Sequence, residues 1–126
     1  MHSESYSLIG LMSGTSGDGL DLAHCHFEFQ KGGWSYEILQ TETRPFPDAL
    51  GKALGESHLL SGLELSLLDV NFGQWMGEQV KTFCLERQVK PMAVASHGHT
   101  VFHQPEKRLS LQIGNGWALH QASGEK

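Results

Sequence analysis

Residues 12–21, MSGTSGDGLD, crowd hydroxyl side chains, the glycines Gly14, Gly17 and Gly19, and the carboxylates of Asp18 and Asp21 into one short stretch. Glycine permits left-handed backbone angles and close approach, so such a loop can aim several N–H groups at one anion. The carboxylates oppose this. Two unit charges about 4 Å apart interact by roughly 1 kcal/mol in bulk water and about 4 kcal/mol at an effective dielectric near 20, so bare phosphates beside Asp18 would be repelled. A divalent cation removes the conflict, because Mg²⁺ keeps several waters while bridging a carboxylate to phosphate oxygens. The stretch therefore reads as a nucleotide and magnesium loop. Gly14, Thr15, Ser16, Gly17, Asp18, Gly19, Leu20 and Asp21 form its cofactor side, with Asp18 or Asp21 orienting the hydrated ion. An ordinary glycine-rich hairpin turn is the competing reading. The stretch has neither the GK[ST] ending of a P-loop nor the strand-to-helix setting of GxGxxG.

A second group, His97, Gly98, His99, Thr100 and His103, follows a short apolar run. Ligand-contacting residues gather at such strand ends in open α/β sheets, which makes these side chains candidate polar contacts, with Phe102 as an apolar wall. HxH followed by a third histidine also raises a His-ligated metallo-hydrolase. Against that stand the missing aspartate, a last gap of the wrong length and the lack of further ligands downstream. Gln112 and Gly114 in LQIG fit a ligand contact or a strand end with a turn, and Asn115 fits a helix cap. His24 and His26, two apart on a strand, share a face and read as residues of a solvated sheet surface. Trp75 and Met76 read as core.

The elements that must position these residues follow from periodicity. SLIGLM (7–12), LDLAHCHFEF (20–29) and WSYEILQTET (34–43) form an antiparallel meander with turns at the glycine loop and at QKGGW (30–34). Pro47 and Asp48 suit the start of a short helix. Between Leu59 and Gln88 apolar residues recur at helical intervals (Leu60, Leu63, Leu67; then Leu68, Phe72, Trp75 or Met76, Val80, Phe83), giving the longest helix, ended by Pro91. PMAVAS (91–96) suits a central strand buried on both faces, HGHTVFHQPE (97–106) a loop, RLSLQIG (108–114) a strand and NGWALHQASG (115–124) a final helix. The order βββ, α, α, β, β, with a helical crossover, predicts an α/β fold in which helices cover a mixed sheet.

The 126 residues are one domain's worth, and 39% hydrophobic content supports an ordinary core. A net charge of −5 with nine scattered Lys and Arg leaves no basic stripe for nucleic acid. The opening residues have no positive n-region and only a short apolar run, so no membrane span or signal peptide is expected and the protein reads as cytoplasmic. Cys25 and Cys84 are far apart and read as free thiols.

GLMSGTSGDGLDLA, then SHGHTVFHQP and LSLQIGNG in the same order, resembles the N-terminal part of the anhydro-N-acetylmuramic acid kinases, from about Leu8 to Gly116. That family belongs to the actin, hexokinase and Hsp70-like ATPases. The resemblance implies a first ribonuclease-H-like lobe, ATP and Mg²⁺ as cofactors, and conversion of 1,6-anhydro-N-acetylmuramic acid to N-acetylmuramic acid 6-phosphate in cell-wall recycling. It also implies His97, His99, Thr100, His103 and Gln112 as sugar-side residues. Gly17 stands where the family has a larger apolar residue, and His99 where glutamine is usual. No residue matches the aspartate of the family's later DFR-type segment, the expected general base. The chain is thus expected to be a first lobe without turnover alone, missing its second lobe and exposing apolar surface that favours self-association. A non-catalytic binding or scaffold domain is the alternative.

Overall fold

The computed structural model describes residues 4–14 and 18–126. Alternation of apolar and polar side chains builds β1 (Glu4–Ser13) and β2 (Gly19–Gln30), with β3 (Gly33–Pro45) completing the meander. Ile9 and Leu11 of β1 and Leu20 and Leu22 of β2 point to one face and are fully or nearly fully buried. The β2–β3 turn carries Lys31 and Gly32 at positive φ, as a tight hairpin connection requires.

Helix α1 (Asp48–Gly55) begins after Pro47, with Asp48 in its first turn, and a 3₁₀ turn at Ser57–Leu59 follows. Helix α2 (Gly62–Arg87) starts at Ser61, whose Oγ accepts from the Glu64 N–H at 3.1 Å and donates to the Glu64 carboxylate at 2.9 Å. The predicted stripe Leu68, Phe72, Met76, Val80 and Phe83 is buried against the sheet, with Trp75 packed at its margin. Leu63 and Leu67 are exposed instead, because the helical period puts them on the face opposite Leu65 and Leu68, which pack on the core. At the other end Glu42 of β3 holds Arg87 at 2.6 Å and pairs with Arg44, fastening the meander to the helix.

β4 (Ala93–Ser96) pairs parallel to β1, giving the order β3-β2-β1-β4. A mixed sheet was expected, but β4 is not its doubly buried centre. It lies beside β1 at the border of the described sheet, half-buried at Ala93 and Val94 and exposed at Ala95 and Ser96. A short apolar run carries no information about how many neighbours a strand has.

The segment 97–106, expected as a loop, contains β5 (His99–Gln104), which pairs antiparallel with β6 (Leu109–Ile113) in a separate two-stranded sheet. Its polar residues hid the strand, since only Val101 and Ile113 of this hairpin join the core. Helix α3 (Gly116–Ser123) is capped by Asn115, whose side chain accepts from the Ala118 N–H at 2.9 Å. It lies against α2 at Gly73 and Gly77, where an added Cβ would come 2.3 Å from the Asn115 carbonyl oxygen and 2.6 Å from that of Leu119. All three helices thus leave one sheet face open, and Tyr6, Leu8, Phe27, Trp34 and Tyr36 line a hollow on it.

Candidate functional site

The end of β1, the start of β5 and the segment joining β4 to β5 meet around a cavity of about 290 Å³ lined by Met12, Ser13, Gly14, His97, His99 and Thr100. Met12 and His97 also wall a neighbouring hollow of about 440 Å³, whose lining includes Asp21, the cross-strand partner of Met12. Parallel pairing creates this arrangement. Bonding of β4 to β1 continues past Ser96, where the His97 N–H donates to the Leu11 carbonyl at 3.1 Å, so the HGHT segment emerges beside the turn that follows β1.

Within that turn the Gly14 N–H donates to the Gly19 carbonyl at 3.2 Å, so this amide closes the hairpin. The Phe46 N–H donates to the Asp18 carbonyl, also at 3.2 Å, holding the turn against the end of β3. Gly19 serves close approach of strands: a Cβ there would lie 2.8 Å from the Arg44 carbonyl oxygen. Leu20 is fully buried, leaving its side chain no access to a ligand. Asp18 and Asp21 are exposed, and Asp21 accepts from the Thr43 hydroxyl at 2.6 Å. Thr15, Ser16 and Gly17, expected to face phosphates, lie outside the described residues.

His99 points inward. Its Nε2 is 3.1 Å from the Leu54 carbonyl oxygen and its Nδ1 is 2.8 Å from the Ser13 Oγ. Burial pushes its pKa below the ordinary histidine value, and the bond to Leu54 opposes that only in part. Thr100 and His103 are an odd number of positions apart and in a regular strand would face opposite sides. A bulge decides otherwise: pairing passes from Thr100 opposite Gln112 to Phe102 opposite Leu111, then His103 opposite Ser110. Thr100, His103, Gln112 and Ser110 therefore share one face of the hairpin. There the Gln112 Nε2 donates to the Ser110 hydroxyl at 2.8 Å and approaches that of Thr100 at 3.5 Å. Phe102 faces the other way, beside Leu111.

Among the described residues, no group of three His, Cys, Asp or Glu side chains converges as a metal cage. With both ring nitrogens engaged, His99 has no lone pair to give a metal without losing a bond. One or two exposed carboxylates fit a hydrated Mg²⁺, which needs few protein ligands. His26, paired with Glu28 and 36% exposed, keeps the solvated setting expected for it, whereas His24 is partly buried. His24 bonds the Ser7 hydroxyl at 2.8 Å, and burial lowers its pKa.

Asp69 of α2 escaped sequence reasoning. Its carboxylate accepts from the Gly114 N–H at 2.7 Å and its carbonyl from the Asn115 N–H at 3.0 Å, tying the β6–α3 junction to α2. The signal was present. Asp69 precedes Phe72 by three and Met76 by seven residues, so the helical period places a carboxylate on the buried stripe.

A mixed α/β unit whose glycine-bearing hairpin turn and His-rich strand entry share one cavity defines a candidate ligand-binding domain. Comparison with known proteins is specific. The sequence model of the anhydro-N-acetylmuramic acid kinases matches residues 6–125. Curated anhydro-N-acetylmuramic acid kinases are 32% identical over 123 residues in Acaryochloris marina, 33% over 119 in Sulfurimonas denitrificans and 33% over 122 in Pseudomonas putida. These alignments cover 93%, 85% and 92% of this chain but 32%, 30% and 32% of the relatives. The chain belongs to the anhydro-N-acetylmuramic acid kinase family and spans about a third of the length of the curated relatives, corresponding to their N-terminal part. Among the described residues no helix is long and apolar enough to cross a membrane.

Proposed function

We propose that this chain is the phosphate-binding and partial sugar-binding lobe of an ATP-dependent kinase, with a ribonuclease-H-like fold of the actin-like ATPase kind. In the intact enzyme, water attacks the anomeric carbon of 1,6-anhydro-N-acetylmuramic acid, opening the anhydro bridge, and the freed O6 takes the γ-phosphoryl group from ATP. The observation that carries this reading is the convergence of the β1–β2 turn and the HGHT segment on one cavity, with Asp21 in the adjoining hollow. Because the Gly14 N–H closes the hairpin, the phosphate cradle falls to Thr15, Ser16, Gly17 and the hydroxyls among them. Asp18 and Asp21 would hold magnesium through its waters, and the ion supplies charge neutralisation at the phosphates. Thr100, His103 and Gln112 present polar groups suited to sugar hydroxyls.

A cleft enzyme needs two walls to position its reactants and exclude water, so this chain alone should not turn over and needs the lobe carrying the base. The internal bond of Gly14 favours a second reading, a binding or scaffold domain whose turn holds no nucleotide. Calorimetric titration with ATP separates the two. The kinase reading expects binding that requires Mg²⁺ and is lost in Asp18→Asn/Asp21→Asn. No binding with or without the ion would leave the scaffold reading.

A further inference from the structure

The hydroxyl of Ser13 stands in the cavity wall immediately before the glycine turn, and His99 controls it. Gly98 adopts φ 77°, and a Cβ there would lie 2.5 Å from the Ile113 carbonyl oxygen. The chain therefore turns sharply into β5 with His99 aimed at the protein, its ring edge-on to Phe72 at 88° and 6.4 Å between centroids. Within this seat the hydrogen-bond chemistry has one consistent assignment for a neutral ring. The Leu54 carbonyl can only accept, so Nε2 carries the ring proton. Nδ1 is then bare, so the Ser13 hydroxyl must donate its only hydrogen to it. Burial favours this neutral form. Toward the cavity, Ser13 offers lone pairs and no proton.

We propose that His99 is a positioning residue that fixes Ser13 as a hydrogen-bond acceptor, so that the group seated against Ser13 is a hydrogen-bond donor and never an unprotonated phosphate oxygen. The polarity rests on this geometry with the ring neutral, as burial favours; the identity of the donor rests on the kinase reading. Two sources carry that chemistry, a hydroxyl or amide N–H of the amino sugar and a water on the hydrated cation. Glutamine, usual at this place in the motif the sequence resembles, can impose the same sense. Its amide N–H can donate to Leu54 while its oxygen accepts from Ser13.

The test is nitrogen-15 NMR of the imidazoles in the full chain at neutral pH. His99 is expected as the Nε2–H tautomer, and Ser13→Ala should move its Nδ1 resonance downfield while leaving the tautomer unchanged. A Nδ1–H tautomer, or a Nδ1 resonance indifferent to Ser13→Ala, overturns the proposal. His99→Gln should keep the amide resonances of residues 14–21 near their parent positions, whereas His99→Phe, which keeps a ring and loses both bonds, should displace them. Equal displacement by both overturns it. A donor on Ser13 polarises its hydroxyl and strengthens the bond to His99, moving Nδ1 upfield. A response to 1,6-anhydro-N-acetylmuramic acid alone identifies the sugar as the donor. A response to Mg-ATP but not to ATP in EDTA identifies cation-bound water. A response to ATP in EDTA, or amide shifts on ligand addition with a static Nδ1, overturns the proposal. If no ligand moves any amide, the kinase reading fails, and the tautomer and Ser13→Ala results alone decide the inference.

Discussion

Replacing Gly73 by alanine sets two opposing effects against each other. Alanine in a helix interior is favoured over glycine by about 1 kcal/mol. Against that, the new Cβ would sit 2.3 Å from the Asn115 carbonyl oxygen, 2.9 Å from its nitrogen and 3.1 Å from its carbonyl carbon, all backbone atoms that cannot swing aside. Relief requires the start of α3 to retreat from α2 by about 1 Å, since unstrained contacts lie near 3.5–4.0 Å. The bonds that hold this junction are the 2.7 Å bond from Gly114 to the Asp69 carboxylate and the 3.0 Å bond from Asn115 to the Asp69 carbonyl. Such a retreat stretches both beyond useful length. A neutral bond contributes about 1 kcal/mol and one to a charged group about 1.5–3 kcal/mol. Loss of both, less the helix-propensity gain, leaves a net destabilisation of about 1.5–3 kcal/mol. Urea unfolding followed by circular dichroism measures this as a lower midpoint at unchanged slope. Gly62→Ala is the control, because nothing lies within 4 Å of a Cβ there, and a change within about 0.5 kcal/mol is expected. A Gly73→Ala protein as stable as its parent would refute the close-packing account of the α2–α3 contact.

Acid sensitivity should follow from His99. Its pKa is lowered in the fold from the ordinary 6.5, so as pH falls the unfolded chain takes up its proton first. This contribution to stability is present above about pH 6.5 and is lost as pH falls from there through the folded value. Comparing unfolding free energies at about pH 7.5 and about pH 5.5 should show a larger loss in the parent than in His99→Gln, and equal losses would contradict it. The open sheet face carries Trp34, Tyr36 and Ile38, each more than half exposed. Light scattering should therefore show association rising with concentration, reduced by Tyr36→Lys/Ile38→Lys; a concentration-independent monomer would count against this.

Much of the architecture was legible along the chain because it rests on local periodicity. The meander follows from alternating side chains, α2 from its Leu68 to Phe83 stripe, and the α3 cap from Asn115. Gly14, His97, His99 and Thr100 of the cavity lining were also marked as site residues, while Met12 and Ser13 were not. Their connections were not legible. Ser13 and His99 are 86 positions apart, and only the parallel pairing of β1 with β4 brings them within 2.8 Å. The bulge that turns Thr100 and His103 to one face depends on the partner strand β6, and β5 itself looked like a loop because its polar side chains give no alternation. Nothing along the chain marked Gly73 and Gly77, whose role appears only where α3 lies against them. Sequence thus determined the helices, the meander and β6, though not β5, and which side chains can do chemistry, because those depend on neighbours a few residues away. Tertiary structure decided which of these side chains are already committed to the protein and which remain to meet a ligand, because hydrogen-bond polarity is set by contacts between distant segments.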